Sequence, residues 1–176
     1  MKRLPLVLSV LVLFSSCVSM QHMTKDSKNL LIAEFELIAE NYFPSFNGTY
    51  TDGVTLKFAN SDSKKEYTVV TRSASGFVYV ENLPAGLYQF TELILNRQRI
   101  GATSDLHQRL GANFGWFIVK DGVVNNYGRI AIKWTKNSGG SYSNVVPAHD
   151  EIKEHFAIAA PQSEYLGWDW IDARPK

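Results

Sequence analysis

Alternation of apolar and polar residues, broken at short intervals by turn-forming residues, constrains this chain more than any other feature. Val54, Leu56 and Phe58 alternate with Thr55, Lys57 and Ala59, the two-residue period at which a strand lays one face on a core and the other in water. Asn60 to Lys65 (NSDSKK) supplies a polar turn, and Glu66 to Arg72 resumes with β-branched and aromatic residues. After a break at Ser73 to Gly76 comes Phe77 to Glu81 (FVYVE), apolar on both faces as a central strand is. In Leu83-Pro84-Ala85-Gly86 the proline fixes φ at a turn's second position and the glycine suits its fourth, which predicts a tight reversal into Leu87 to Leu95. Further strands are expected at Gly115 to Lys120, before an Asp121-Gly122 turn, and at Tyr127 to Trp134. The stretch 30–42 (LLIAEFELIAENY) fits two periods. Leu31, Phe35, Ile38 and Tyr42 share a helical face, while Leu31, Ala33, Phe35 and Leu37 alternate as a strand does. Seven or so strands at this spacing, with helix signal weak until residue 149, predict a mainly β fold, an antiparallel β-sandwich ending in a short C-terminal helix.

The composition suits one such domain. The chain has 176 residues, 45% apolar and 20% charged, with a formal charge of +1. Loss of Lys2 and Arg3 with a leader would turn that to −1, which leaves no basic surface for nucleic acid. One cysteine excludes an internal disulfide framework. A body of this length buries roughly two thirds of its unfolded surface, so it needs no metal or cofactor to fold.

The amino terminus predicts an address. Met1, Lys2 and Arg3 are followed by Leu4 to Phe14 (LPLVLSVLVLF), an apolar core too short to span a bilayer, then by small residues Ser15 and Ser16. The run Leu13-Phe14-Ser15-Ser16-Cys17 resembles a bacterial lipobox, with Phe14 where that family usually has Leu. The resemblance implies a signal peptide over 1–16, lipid on the sulfur of Cys17, and acylation of the new amino terminus. Each buried CH₂ contributes about 0.8 kcal/mol, so two or three acyl chains would hold the protein on a membrane almost irreversibly. Residues 17–29 then form the lipidated Cys17 and a polar tether, and 30–176 a single β-sandwich domain with a C-terminal extension. Val18, instead of the Asp common in inner-membrane lipoproteins, points to the outer membrane of the bacterial cell envelope. The alternative is an ordinary secretory signal with Cys17 merely nearby.

Gly53 to Leu93 resembles the bacterial carboxypeptidase-regulatory-like and collagen-adhesin-B-like domains, which share a transthyretin-like (prealbumin-like) sandwich. The residues that carry the likeness are Gly53 to Phe58, Tyr67 to Thr71, Gly76 to Val80, the Leu83 to Gly86 turn and Leu87-Tyr88-Gln89-Phe90. Phe117-Ile118-Val119, Asp121-Gly122 and Tyr127-Gly128-Arg129-Ile130 fit the extension of the pattern seen in envelope lipoproteins. There Asn125 and Asn126 lengthen the connection. The resemblance implies that 30–42 is a strand. It implies fold far more than activity, because such domains serve as adhesion modules and as accessory domains alike.

Catalytic motifs are missing from the sequence. Gly139-Gly140-Ser141-Tyr142-Ser143 lacks the Gly-x-Ser-x-Gly order of a nucleophile elbow and reads as a loop. His149-Asp150-Glu151-Ile152-Lys153-Glu154-His155 concentrates histidines and carboxylates, and Glu151 and His155 have the four-residue spacing of one helical face. The plainer reading is the solvated face of a short helix, with Asp150 and Glu151 at its favoured acidic end. Arg97, Arg99, His107 and Arg109 lie in the long connection 96–113, expected to be a solvated loop or short helix, or a grip for an anion. Trp168 and Trp170 would share a face in an extended segment and close one end of the sandwich, or else form a platform for a sugar ring. Two function classes follow. One is a lipid-anchored, non-catalytic binding or structural module with an envelope protein or glycan as partner. The other is an envelope enzyme whose His149, Glu151, Glu154 and His155 converge in space.

Overall fold

The computed structural model describes residues 27–43, 46–50, 53–71, 76–95, 106–109, 115–135, 141–146 and 149–175. The described strands, in chain order, are β1 (Leu30–Phe43), β2 (Phe46–Tyr50), β3 (Val54–Asn60), β4 (Glu66–Val70), β5 (Phe77–Glu81) and β6 (Gly86–Leu95). They continue with β7 (Leu106–Arg109), β8 (Trp116–Val119), β9 (Val124–Thr135), β10 (Ser141–Val146) and β11 (Trp170–Asp172). Helix α1 (His149–Ala159) and a 3-10 turn at Glu164–Gly167 precede β11.

Two sheets form a sandwich. In the first the order is β10-β9-β1-β2, with β5 beside the start of β1 and β11 beside the start of β9. In the second it is β4-β3-β6-β7, with β8 beside the start of β6. Leu31, Ala33, Phe35, Val78, Tyr127 and Ile130 of the first sheet meet Val54, Leu56, Phe58, Tyr88, Phe90, Leu93 and Phe117 of the second in one buried cluster. Its centre is aromatic. The Tyr88 and Phe117 rings stack at 5.4 Å, and Phe58 meets Phe90 and Phe117 edge-on at 5.8 and 5.6 Å, the offset and T-shaped arrangements that ring quadrupoles favour.

A second cluster lies on the opposite face of the first sheet. Leu30, Ile32, Phe77 and Val124 are covered there by Ile152 and Phe156 of α1 and by Tyr165, with Trp168 and Trp170 packed at the margin. Double cover explains two features of the sequence. The start of β1 is apolar at both parities because odd residues face the second sheet and even ones face α1, and this is why its pattern also fits a helix. Strand β5 is two-faced for the same reason and not because it is central: its described pairing is with β1 alone.

The sandwich with a short C-terminal helix is the fold the sequence predicts, with more strands and one difference in pairing. β1 and β9 run parallel, from Leu30↔Val124 to Glu40↔Thr135, and so do β11 and β9, so the first sheet is mixed instead of wholly antiparallel. Part of the expected 96–113 loop is strand β7, paired with the end of β6. Ser141 to Ser143, expected in a loop, open β10. Asn125 and Asn126 belong to β9, not to a connection. Both are buried, and each amide has a local task. Asn125 Oδ1 accepts from Lys120 N at 2.8 Å and its Nδ2 donates to Lys120 O at 3.0 Å, which closes the β8–β9 turn. Asn126 Oδ1 accepts from Gly128 N at 2.9 Å, at a bulge where the register steps from Ile32↔Asn126 to Ala33↔Gly128. Gly128 takes φ +93° there, a conformation glycine adopts without a Cβ penalty.

Candidate functional site

The 149–155 segment is the first place to look, and the fold gives its residues different surroundings. Ile152 and Phe156, four apart, point into the sheet, which leaves Asp150, Lys153 and Glu154 exposed. Glu151 and His155 are exposed as well, yet each reaches a side chain of the sheet. Glu34 of β1 and Arg129 of β9 are register partners. Arg129 donates from Nε to Glu34 Oε2 at 2.8 Å, and its Nη2 lies 2.8 Å from the same oxygen. Glu151 Oε2 stands 3.6 Å from Arg129 Nη2, and His155 Nδ1 stands 3.4 Å from Glu34 Oε1. The Glu34 side chain is only 15% exposed, so it needs these partners. The hydrogen bond to Glu34 is the largest influence on the Arg129 guanidinium and pushes its pKa up against the effect of burial.

Chemically this is a clasp. The two short contacts both run from Arg129 to one oxygen of Glu34, Oε2, while the longer contacts from the helix reach the other carboxylate oxygen and Arg129 Nη2. His149 has a backbone place at the start of α1. Among the described residues no three of His, Cys, Asp and Glu lie close enough together to hold a metal ion. Glu34 and Arg129 were absent from the sequence-based candidates. The signal that could have found Glu34 is a carboxylate inside the otherwise apolar run 30–35, at the parity of Leu30 and Ile32.

A second ionic group lies on the outer face of the second sheet. Lys57 Nζ is 2.6 Å from Glu92 Oε2 and His107 Nδ1 is 2.9 Å from Glu92 Oε1. The Lys57 hydrogen bond, followed by that of His107, holds the Glu92 carboxyl below its ordinary value. His107 and Arg109 are thus on β7; Arg97 and Arg99 lie outside the described residues.

Trp168 and Trp170 lie over the outer face of the first sheet and not across one end of the sandwich. Trp168 meets the Tyr165 ring edge-on at 4.8 Å, and Trp170 meets Phe156 at 5.6 Å. Trp170 Nε1 donates to Tyr165 O at 3.0 Å, and Lys153 Nζ lies 5.6 Å from its ring centre. Tyr165 is fully buried and donates its hydroxyl to Glu81 Oε1 at 2.7 Å. Both indoles therefore cover apolar surface. Cys17 lies outside the described residues, and among those residues no helix is long and apolar enough to cross a membrane.

Comparison with known proteins adds little to this geometry. No protein-family model and no curated protein matches the chain. Among solved structures it is similar to a leucine-rich repeat protein from Bacteroides thetaiotaomicron VPI-5482, with 19% identity and a TM-score of 0.33 over 62% of this chain. It is also similar to the pilus adhesin RrgA from Streptococcus pneumoniae, with 12% identity and a TM-score of 0.27 over 70% of this chain. In each case the match spans 15% of the larger chain.

Proposed function

We propose that the protein is a lipid-anchored, non-catalytic binding or structural module of the bacterial cell envelope, held on the outer membrane through Cys17. Its body is proposed to be of the transthyretin-like kind found in carboxypeptidase-regulatory-like and collagen-adhesin-B-like domains, and its partner an envelope protein or glycan. The observation that carries the non-catalytic reading is the use made of the 149–155 segment. Glu151 and His155 take part in the clasp that lays α1 on Glu34 and Arg129, while Ile152 and Phe156 fill the apolar cluster beneath. The anchor rests on the placement of the single cysteine directly after an apolar core and two small residues.

Labelling cells with a clickable fatty acid tests the anchor. Wild-type protein should take up label and the Cys17→Ser protein should not; an unlabelled wild type refutes lipidation. Fractionation should place the labelled protein in the outer membrane, and recovery from the inner membrane would contradict the role given to Val18. Capture from envelope extract with the Cys17→Ser chain then identifies the partner class.

A further inference from the structure

We infer that the body is a load-bearing link, in which β1 carries tension in shear between its point of entry and the far end of the first sheet. The source of the load rests on the anchored-module reading; the geometry does not. Residues 28 and 29, which lead into β1, are tied to two turns. Lys28 N donates to Asn82 Oδ1 at 2.8 Å, and Asn82 N donates to Asn29 O at 3.2 Å. Gly122 N donates to Lys28 O at 2.7 Å, while Asn29 Nδ2 donates to Leu83 O and Asp121 Oδ1 at 2.8 and 2.7 Å. A pull on the preceding chain therefore reaches the β5–β6 and β8–β9 turns together with β1.

Beyond this clamp β1 is flanked on both sides. β5 and β2 bond one edge, and β9 bonds the other from Leu30↔Val124 to Glu40↔Thr135. Because β1 and β9 are parallel, the entry of β1 and the end of β9 lie at opposite ends of the sheet. Tension between those ends runs along the strands, across the hydrogen bonds that join them, and loads those bonds together. Tension applied between the entry of β1 and the start of β9 opens the same bonds one after another from a single end. Sliding β1 must also drag Leu31, Ala33 and Phe35 through one packed layer and Leu30 and Ile32 through the other. An envelope protein held by its amino terminus and gripped at the far end of the first sheet would feel the resistant direction.

The prediction is a difference in lifetime under a fixed load, which is governed by the unfolding rate. The unacylated full chain is held through the thiol of Cys17, with a second thiol introduced as Thr135→Cys for the axial pull or Lys120→Cys for the opening pull. The axial pair should survive on the order of tenfold longer at the same load. Ser141→Cys, at the start of β10 and opposite Lys133 near the far end of β9, gives a second axial attachment and should also outlast Lys120→Cys. Equal lifetimes, a longer-lived opening pull, or resistance at only one far-end site would overturn the proposal. Failure of fatty-acid labelling would remove the anchor and leave this mechanical ordering untouched, so the two readings fail separately.

Discussion

Placing a side chain at Gly86 tests the register of the second sheet where the fold leaves least room. Gly86 opens β6 with φ +155°, and a Cβ built there would stand 2.9 Å from Asn60 Nδ2. Asn60 cannot easily yield. It is buried, and its Oδ1 accepts from Asp62 N at 3.0 Å, from Ser63 N at 2.9 Å and from Ser63 Oγ at 3.0 Å. The backbone conformation costs a non-glycine residue about 1 kcal/mol, and displacing a buried, bonded amide costs about 1–3 kcal/mol. Gly86→Val should therefore destabilise the protein by about 2–4 kcal/mol, a fall in melting midpoint of roughly 5–15 °C for a domain of this size. Gly86→Ala adds the Cβ alone and should retain most of the loss. Calorimetry on Gly86→Ala, Asn60→Ala and the double variant completes the test, because relief of the close approach makes the double loss smaller than the sum. A Gly86→Ala melt within about 0.5 kcal/mol of wild type would refute both the crowding and the placement of the turn.

Three further outcomes are expected. Replacing Trp168 and Trp170 together with Ala should cost about 3–5 kcal/mol and speed hydrogen exchange in α1; an unchanged melt with loss of glycan binding would instead make the pair a ligand platform. Arg129→Met leaves Glu34, a mostly buried carboxylate, without its principal cation and should cost about 1–2 kcal/mol, reduced when Glu34→Gln is added; a double variant no more stable than Arg129→Met would rule out the pair as the source. Burial pushes the Tyr88 and Tyr127 hydroxyls up to about 12, against about 10 in the unfolded chain. Their contribution is therefore fully present below pH 10 and is lost as pH rises through about 12. Burial also pushes the Tyr165 hydroxyl up, so spectrophotometric titration should show these three tyrosines ionising late and the melt falling across that window, whereas complete ionisation near pH 10 with the fold intact would contradict their burial.

What the sequence discloses of this fold depends on how many faces of a strand are covered. β3 has one covered face, and its alternation from Val54 to Ala59 matches the observed burial, while Asn60, expected in the polar turn, is instead the strand's buried last residue. β1 has two, so the parity that usually identifies a strand disappears from 30–35 and a helical face can be drawn through the same residues. The parallel β1–β9 pairing was equally hidden, because no local pattern distinguishes a strand with parallel neighbours from one with antiparallel neighbours. β7 and β10 are short and made of His, Gln, Arg, Ser and Asn alongside a few apolar residues. Their strand state comes from the free edges of β6 and β9, which accept a partner almost regardless of its composition.

The candidate site shows the same limit from the side of chemistry. Spacing within 149–155 placed Glu151 and His155 on one helical face, and both do turn toward the same pair of residues. Spacing could not say that the pair would be Glu34 and Arg129, 95 residues apart in sequence and joined only because β1 and β9 lie side by side. The helix brings one histidine and one carboxylate to that pair. There they meet an arginine that already holds Glu34, a mostly buried carboxylate, at the rim of an apolar cluster. Such an ionic contact is best placed to fix how α1 sits, because Ile152 and Phe156 supply area without direction while the Arg129–Glu34 pair supplies direction at a single register position. The packing of the C-terminal extension thus brings Glu151 and His155 of this segment to β1 and β9, the two strands across which axial tension would pass.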